Sequence, residues 1–478
     1  MKNFAVLFFV LALSLPLQLH AQDFGFGFGD SSDSSGNSGS GLSASVGGEV
    51  SATFIGYGSD FYKGAPYVEF GDIFSGLIKF SAGVSFAEAI INLNIAPTAQ
   101  PVAIDEAYVR AYLGNFEIEG GIRKLTWGKA DSFGPLDVIN PLDNSEFTNL
   151  NDLMNFKIAR PLVRLSYRFG SFSKLESVFV PSFEPMRFAD DGRWVQAQMA
   201  ELKKELVIIE SNFGDLNTLL SGLPSLGISG FPKSVSSNIT KEDELSMIKY
   251  AQAGLRFTTT IGPADIGMQY YYGRLTKPAF SMIIKTLPNP PMPIPNWPET
   301  VLTSINYVYN PYHQIGIDWA QVLFGFNIRA EFAANITEDL SGDDEAVYNP
   351  HLAWSFGFDR ELFSGVNLSL QANETIRLLD SKISSDKLII DTETGTDVTA
   401  TQIIAAIYRN FFRDQLEARV AVFWEIEAND FMLVPSLVWT KDALSFEISG
   451  GIFGGDKEGP FGQFKDNNFV KAVMTYSF

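Results

Sequence analysis

From about residue 44 onward the chain alternates apolar and polar residues with a period of two. Over 323–335, Phe324, Phe326, Ile328, Ala330 and Phe332 share one parity, and Asn327, Arg329, Glu331 and Asn335 share the other. Over 415–426, Leu416, Ala418, Val420, Val422, Trp424 and Ile426 oppose Gln415, Glu417, Arg419 and Glu425. Over 159–169, Val163, Leu165, Tyr167 and Phe169 oppose Arg160, Arg164, Ser166 and Arg168. Each run is about ten residues long, the length of a tilted strand that crosses a bilayer. The pattern predicts about 18 strands (16–18): 44–57, 67–81, 84–95, 103–113, 115–124, 159–169, 172–181, 247–260, 264–274, 300–320, 323–335, 350–361, 365–378, 399–412, 415–427, 430–440, 443–453 and 467–478. Very short connections fall near 113–115, 169–172, 261–264, 412–415 and 440–443. Long polar ones span 124–158, 182–246, 275–299, 336–349, 379–398 and 454–466, and all of these fall on the opposite side. Outward rows end in aromatics such as Tyr272, Trp319, Trp354, Trp424, Trp439 and Tyr476. Together these features predict an all-β, transmembrane antiparallel β-barrel with short periplasmic turns and long extracellular loops.

Composition sharpens this reading. Charged residues make up 19% of the 478, below the usual quarter, while 41 Phe raise the aromatic share to 13%. Residues 1–21 read as a signal peptide, with Lys2, the apolar run "FAVLFFVLALSL" and a small-residue site ending at Ala21. Residues 22–43 form a Gly/Ser-rich segment, and 44–478 the barrel. No later stretch holds 18 consecutive apolar residues, so a closed barrel is the remaining way to span. The net charge of −20 excludes a basic face for nucleic acid, and the absence of Cys excludes disulfides. The final strand, "FVKAVMTYSF", predicts closure against the first strand. Its terminal Phe478 resembles the signal through which barrel-assembly machinery recognises its clients.

The polar parity defines a candidate pore lining: Glu106, Arg110, Glu117, Glu119, Arg123, Arg160, Arg164, Arg168, Arg256, Arg329, Glu331 and Arg419. Arg110, Arg123, Arg160, Arg164 and Arg168 concentrate in one arc. That arc is either a ladder guiding anionic groups or a wall of mixed-sign pairs with the nearby carboxylates. The stretch "GGIRKLTWGKADSFGPLDVINPLDNSEF", residues 120–147, carries Trp127, Gly128, Asp131, Asp137, Asn140, Pro141 and Asp143 just past a strand end. Gly128 allows a tight bend, Asn140-Pro141 fixes a turn, and the Asp side chains are suited to capping amides. This is the expected constriction, a loop folded into the lumen, as against a rigid external turn. Its W-G-x-x-D and N-P-x-D spacing resembles a stretch of large outer-membrane porin-like families, including the alginate-export and phosphate-selective channels. The resemblance implies a large porin-like barrel and leaves its solute open.

Within 182–246, Val195, Met199, Leu202, Leu206 and Ile209 predict a helix over about 195–222, packed on the rim or folded in as a plug. The acidic run "TEDLSGDDEAV" matches no ordered calcium loop, so neither a metal nor a cofactor is expected. No G-x-S-x-G, H-E-x-x-H or phosphate-cradling loop is present, so no enzymatic activity is expected. The expected role is an outer-membrane channel for passive diffusion of small polar or charged solutes. Its expected partners are membrane lipid, the assembly machinery and a possible second copy of the chain, with no nucleic acid. The alternatives are a fatty-acid-uptake-like transporter of hydrophobic compounds and a surface adhesin.

Overall fold

A lipid-facing strand must pair every backbone amide and carbonyl with a neighbour, because hydrocarbon offers no partner. In the computed structural model this requirement is met by closure. The structure describes residues 42–58, 68–69, 74–97, 101–149, 153–197, 245, 247–286, 300–383, 392–393 and 395–478. Leu42–Ser477 forms one compact unit. Its sheet holds 19 strands, of which Val68–Glu69 pairs only with the end of the first strand, leaving eighteen in the ring. In chain order these are β1 Ser43–Tyr57, β2 Phe74–Val84, β3 Ala87–Ile95, β4 Val102–Leu113, β5 Phe116–Arg123, β6 Arg160–Phe169, β7 Ser173–Val180, β8 Gln252–Ile261 and β9 Ala264–Arg274. There follow β10 Pro311–Leu323, β11 Phe326–Thr337, β12 His351–Phe363, β13 Val366–Arg377, β14 Thr399–Phe411, β15 Leu416–Glu425, β16 Asp430–Lys441, β17 Leu444–Gly455 and β18 Phe469–Ser477. Each strand is antiparallel to the next, and β18 closes on β1 over Tyr57↔Phe469 to Glu49↔Ser477. This is a closed, transmembrane antiparallel β-barrel of eighteen strands.

At one end the connections are turns of a few residues, with Gly114 and Gly325 at φ 65° and 78°, where a side chain would strain the backbone. At the other end lie the long connections. One face of the wall carries exposed apolar side chains, among them Phe54, Ile91, Val109, Ile118, Val163, Leu255, Ile317, Phe332, Phe356, Val420 and Met474. The opposite parity holds the buried polar residues Glu119, Glu176, Gln269, Asp318, Glu331, Gln371 and Lys471. Tyr272, Trp424 and Tyr476 stand exposed on the apolar face, on the parity expected of girdle residues.

Two boundaries differ from the pattern. The alternation over 300–320 is two elements. Thr300–Val308 pairs with Ala279–Thr286 in a separate two-stranded sheet, and the barrel strand begins at Pro311. Proline has no N–H to give a ladder and starts a strand cleanly. Tyr307 and Tyr309 instead bury against Phe183 and Tyr250. At the other site β2 starts at Phe74 rather than near 67. The expected signal peptide, most of the 22–43 segment, the helix beyond Ala197 and the proline-rich 287–298 lie outside the described residues.

The lipid-facing assignment can be tested on β11. Phe332→Arg places a cation on the apolar face and is expected to cost about 2–4 kcal/mol. Asn327→Arg, on the polar parity, should cost far less. Urea unfolding in lipid vesicles, followed by tryptophan fluorescence, measures both, and equal costs would contradict the assignment.

Candidate functional site: a loop held within the barrel

The connection between β5 and β6 turns toward the polar face of the wall. At its neck, Asn140 is buried. Its Oδ1 accepts from the Leu125 amide at 2.7 Å, and its Nδ2 donates to the Arg123 and Ile158 carbonyls at 3.0 and 2.8 Å. One amide therefore ties the outgoing and returning chains together. Pro141 gives its carbonyl to the Ile158 amide at 2.9 Å. Lys157 is buried beside this knot, with Nζ 2.5 Å from Asp137 and 2.7 Å from the Thr126 hydroxyl. Burial pushes the Asp137 carboxyl up from its ordinary value, and Lys157 pulls against that.

Beyond the neck the loop meets inward residues of six strands between β7 and β13. Trp127 is buried and donates through Nε1 to Glu176 of β7 at 2.6 Å, with its ring edge-on to Tyr271 of β9. Glu331 of β11 accepts from the amides of Lys129, Ala130 (2.6 Å) and Leu136 (3.3 Å). Gly128, at φ 98°, allows this approach, since a Cβ there would overlap the Glu331 carboxylate. Gln371 of β13 accepts from the Asp131 and Ser132 amides at 3.0 and 3.3 Å and donates to the Ser132 carbonyl at 2.5 Å. Gln269 of β9 and Gln314 of β10 each donate at 2.9 Å, to the Leu136 and Pro135 carbonyls. The Leu136 side chain is wholly buried against Ala333 and Ala353, in space that a Cβ on Gly316 would take. Small inward residues thus form the seat, and amide side chains satisfy much of the loop backbone that turns toward the wall.

Arg329 pairs with both Asp131 of the loop and Asp359 of β12. Desolvation raises the Asp131 carboxyl above its ordinary value, with Arg329 opposing the rise and Asp359 adding to it. Asp143 accepts from Ser145, and its strand residues pair in parallel with Arg187–Phe188. Further on, Asn149 accepts from Lys471 of β18 at 3.1 Å, and Phe147 stacks near Trp194 and Phe464.

The arginine arc is not a free ladder. Arg110 pairs with Glu88 (3.0 Å), Glu117 and Glu119, Arg123 pairs with Glu119, and Arg164 pairs with Glu117, Glu119 and Glu176. With Lys174 bound to Glu176, four cations interleave with four carboxylates. Glu106 accepts from the Lys124 amide at 2.9 Å. Arg123 and Arg110 also lie over the Tyr108 ring at 4.5 and 5.5 Å. Arg160 is buried and donates to the Ile139 and Ser182 carbonyls. Arg168 is exposed near the turn end, opposite Lys174 in register. Beside this wall, on β8, Arg256 pairs with Asp318 at 2.6 Å, and further round the ring Arg419 faces Tyr408 at 5.9 Å.

Sequence reasoning missed an apolar sector. Inward residues Ile404, Phe423, Met432, Val434, Phe453 and Phe469 of β14–β18 bury against Trp194, Phe461 and Phe464. The signal was present in "RVAVFW" and "FMLVPSLVW", where both parities are apolar, as in strands covered on both faces.

No protein-family profile matches the chain, and no curated protein does. Solved structures do. OccK8 (OprE) of Pseudomonas aeruginosa matches with a TM-score of 0.46 at 10% identity, over 91% of this chain and 98% of its own. OmpT of Vibrio cholerae, in its trimer form, matches at 0.42 and 10%, over 91% and 99%. The anion-selective porin of Comamonas acidovorans matches at 0.41 and 9%, over 92% and 100%.

Two outcomes follow from this geometry. Glu331→Ala removes an acceptor whose hydrogen bonds are worth about 1.5–3 kcal/mol each. The loop should then become cleavable by added protease within 124–149, and unchanged resistance would refute the anchoring. The second concerns pH. Asp131 and Asp137 bind protons more readily in the docked loop than in solvent, so docking is favoured at low pH and weakens as pH rises through their raised values. Protease resistance of the loop should therefore fall with rising pH in that window, and the Asp131→Asn/Asp137→Asn double variant should flatten the profile.

Proposed function

We propose that the chain is an outer-membrane channel through which small polar or charged solutes diffuse passively, with the path narrowed by the loop after β5. In this reading residues 1–21 direct export and the turn end faces the periplasm. The supporting observation is the loop itself. A backbone segment bonded to inward side chains from β7 to β13 occupies cross-section on that side, while another stretch of wall keeps partly solvent-exposed charges at Glu88 and Arg110. Water-filled space beside charged side chains is what a conducting lumen requires.

The pairing of the arginines sets the expected selectivity. With each guanidinium of Arg110, Arg123 and Arg164 matched by carboxylates, the wall offers anions no net attraction, so cation preference should be weak and anion preference absent. A second reading, passage of hydrophobic compounds, is favoured by the aromatic sector around Trp194 and Phe453. That sector is filled by the chain's own side chains, which ranks it second.

Planar bilayers separate the two. The reconstituted protein should conduct, with a reversal potential in a KCl gradient slightly toward K⁺, and Arg110→Gln should move it further that way. A barrel that inserts and passes no current would overturn the channel reading and favour the hydrophobic route.

A further inference from the structure

A second feature lies on the outside of the wall. Arg409 is on β14 with Ile403, Ala405, Ile407 and Phe411 on its own parity, and that parity faces lipid. It stands two residues from the strand's last residue, at the turn end. Its register partners are Val366 on β13 and Ala418 on β15. The guanidinium carbon lies 4.8 Å over the Phe411 ring, and the buried Nε has no hydrogen-bond partner among the described residues. A cation on this face is tolerable near the interface and is best satisfied by an anion there.

Arg409 borders a groove of about 600 Å³ that crosses β14 to β18 on the same face. The groove has a sequence cause. Pro435 on β16 and Gly450 on β17 fall in a gap in the ladder between Leu433↔Ile452 and Ser436↔Ser449. Proline cannot donate and glycine has no side chain, so a trough opens between the exposed Val420, Leu437, Ile448 and Val470. The trough is almost wholly apolar, and its one charge on the lipid-facing parity is at the turn end.

We propose that this groove is a binding site for one phospholipid of the leaflet at the turn end. The phosphodiester oxygens accept from the Arg409 guanidinium, and one acyl chain lies in the trough between Ile407 and Ile448. The charge complementarity selects the occupant. An acyl chain fills an apolar trough, and a guanidinium takes a phosphate bidentately. Arg360, the cation over Phe326 at 4.5 Å on β12, shares the lipid-facing parity and does not border the groove, so it serves as the internal control.

The test is native mass spectrometry of the full-length barrel in detergent, titrated with dioleoyl phosphatidylglycerol and, separately, dioleoyl phosphatidylethanolamine. Wild type should hold one lipid. Arg409→Gln should weaken that binding about tenfold, the loss of one charge-assisted contact. Ala418→Trp, filling the trough, should weaken it at least as much, and Arg360→Gln should leave it unchanged. Heat-shifted gel mobility shows that each variant is still a barrel, and Leu437→Trp replaces Ala418→Trp if the latter is not. Equal retention by wild type and both groove variants would overturn the proposal. So would loss in Arg409→Gln with full retention in Ala418→Trp. An oligomer that excludes lipid and falls apart in Ala418→Trp would assign the groove to copies of this chain instead.

Discussion

Everything in this molecule depends on the ring of main-chain hydrogen bonds closing between β18 and β1. Within hydrocarbon an open sheet edge leaves a row of unmet amides and carbonyls, each costing several kcal/mol. Pairing from Tyr57↔Phe469 to Glu49↔Ser477 removes both edges at once. Once the ring is sealed, each strand has two unlike surroundings, and the period-two alternation is the only pattern that suits both. Side chains on one parity may be Phe, Ile or Val at no cost, and those on the other may be Glu, Arg or Gln.

The interior is not uniform. On the β7–β13 side, glutamine amides and Glu331 satisfy the backbone of the loop after β5, and Gly316, Ala333 and Ala353 leave space for Leu136. On the β14–β18 side the seat is mainly apolar, with Asp430 accepting from the Phe461 and Gly462 amides and Lys471 donating to Asn149. There inward residues such as Phe423, Met432 and Phe453 bury the aromatic rings of later loops. Between these two sectors, the β3–β7 wall keeps its charges in matched pairs. Such pairs hold neighbouring strands in register and leave little net field across the lumen.

The barrel was legible because lipid enforces apolarity on one parity with little tolerance. The count of eighteen and nearly every strand of β4–β18 could be read from alternation alone. The exception, 300–320, failed for a local reason. Tyr307 and Tyr309 continue the alternation, and only Pro311 marks where the barrel strand begins. The site was half legible. Gly128 and Asn140-Pro141 announce a bend and a knot by their own chemistry. Their partners Gln269, Gln314 and Gln371 look like any polar residue on a wet wall, because nothing local states that a distant backbone will meet them. The arginine arc was ambiguous on the same ground. Whether Arg164 stands alone or meets Glu117 and Glu176 is decided by register across three strands, which a linear sequence does not display.

The seat for Leu136 has a consequence in time. The loop that uses it lies between β5 and β6, yet every part of the seat belongs to β10–β12, which follow later in the chain. The pocket of Gly316, Ala333 and Ala353 exists only after three further hairpins have zipped together. The loop can therefore dock only once β10, β11 and β12 are paired, in whatever order the other strands join.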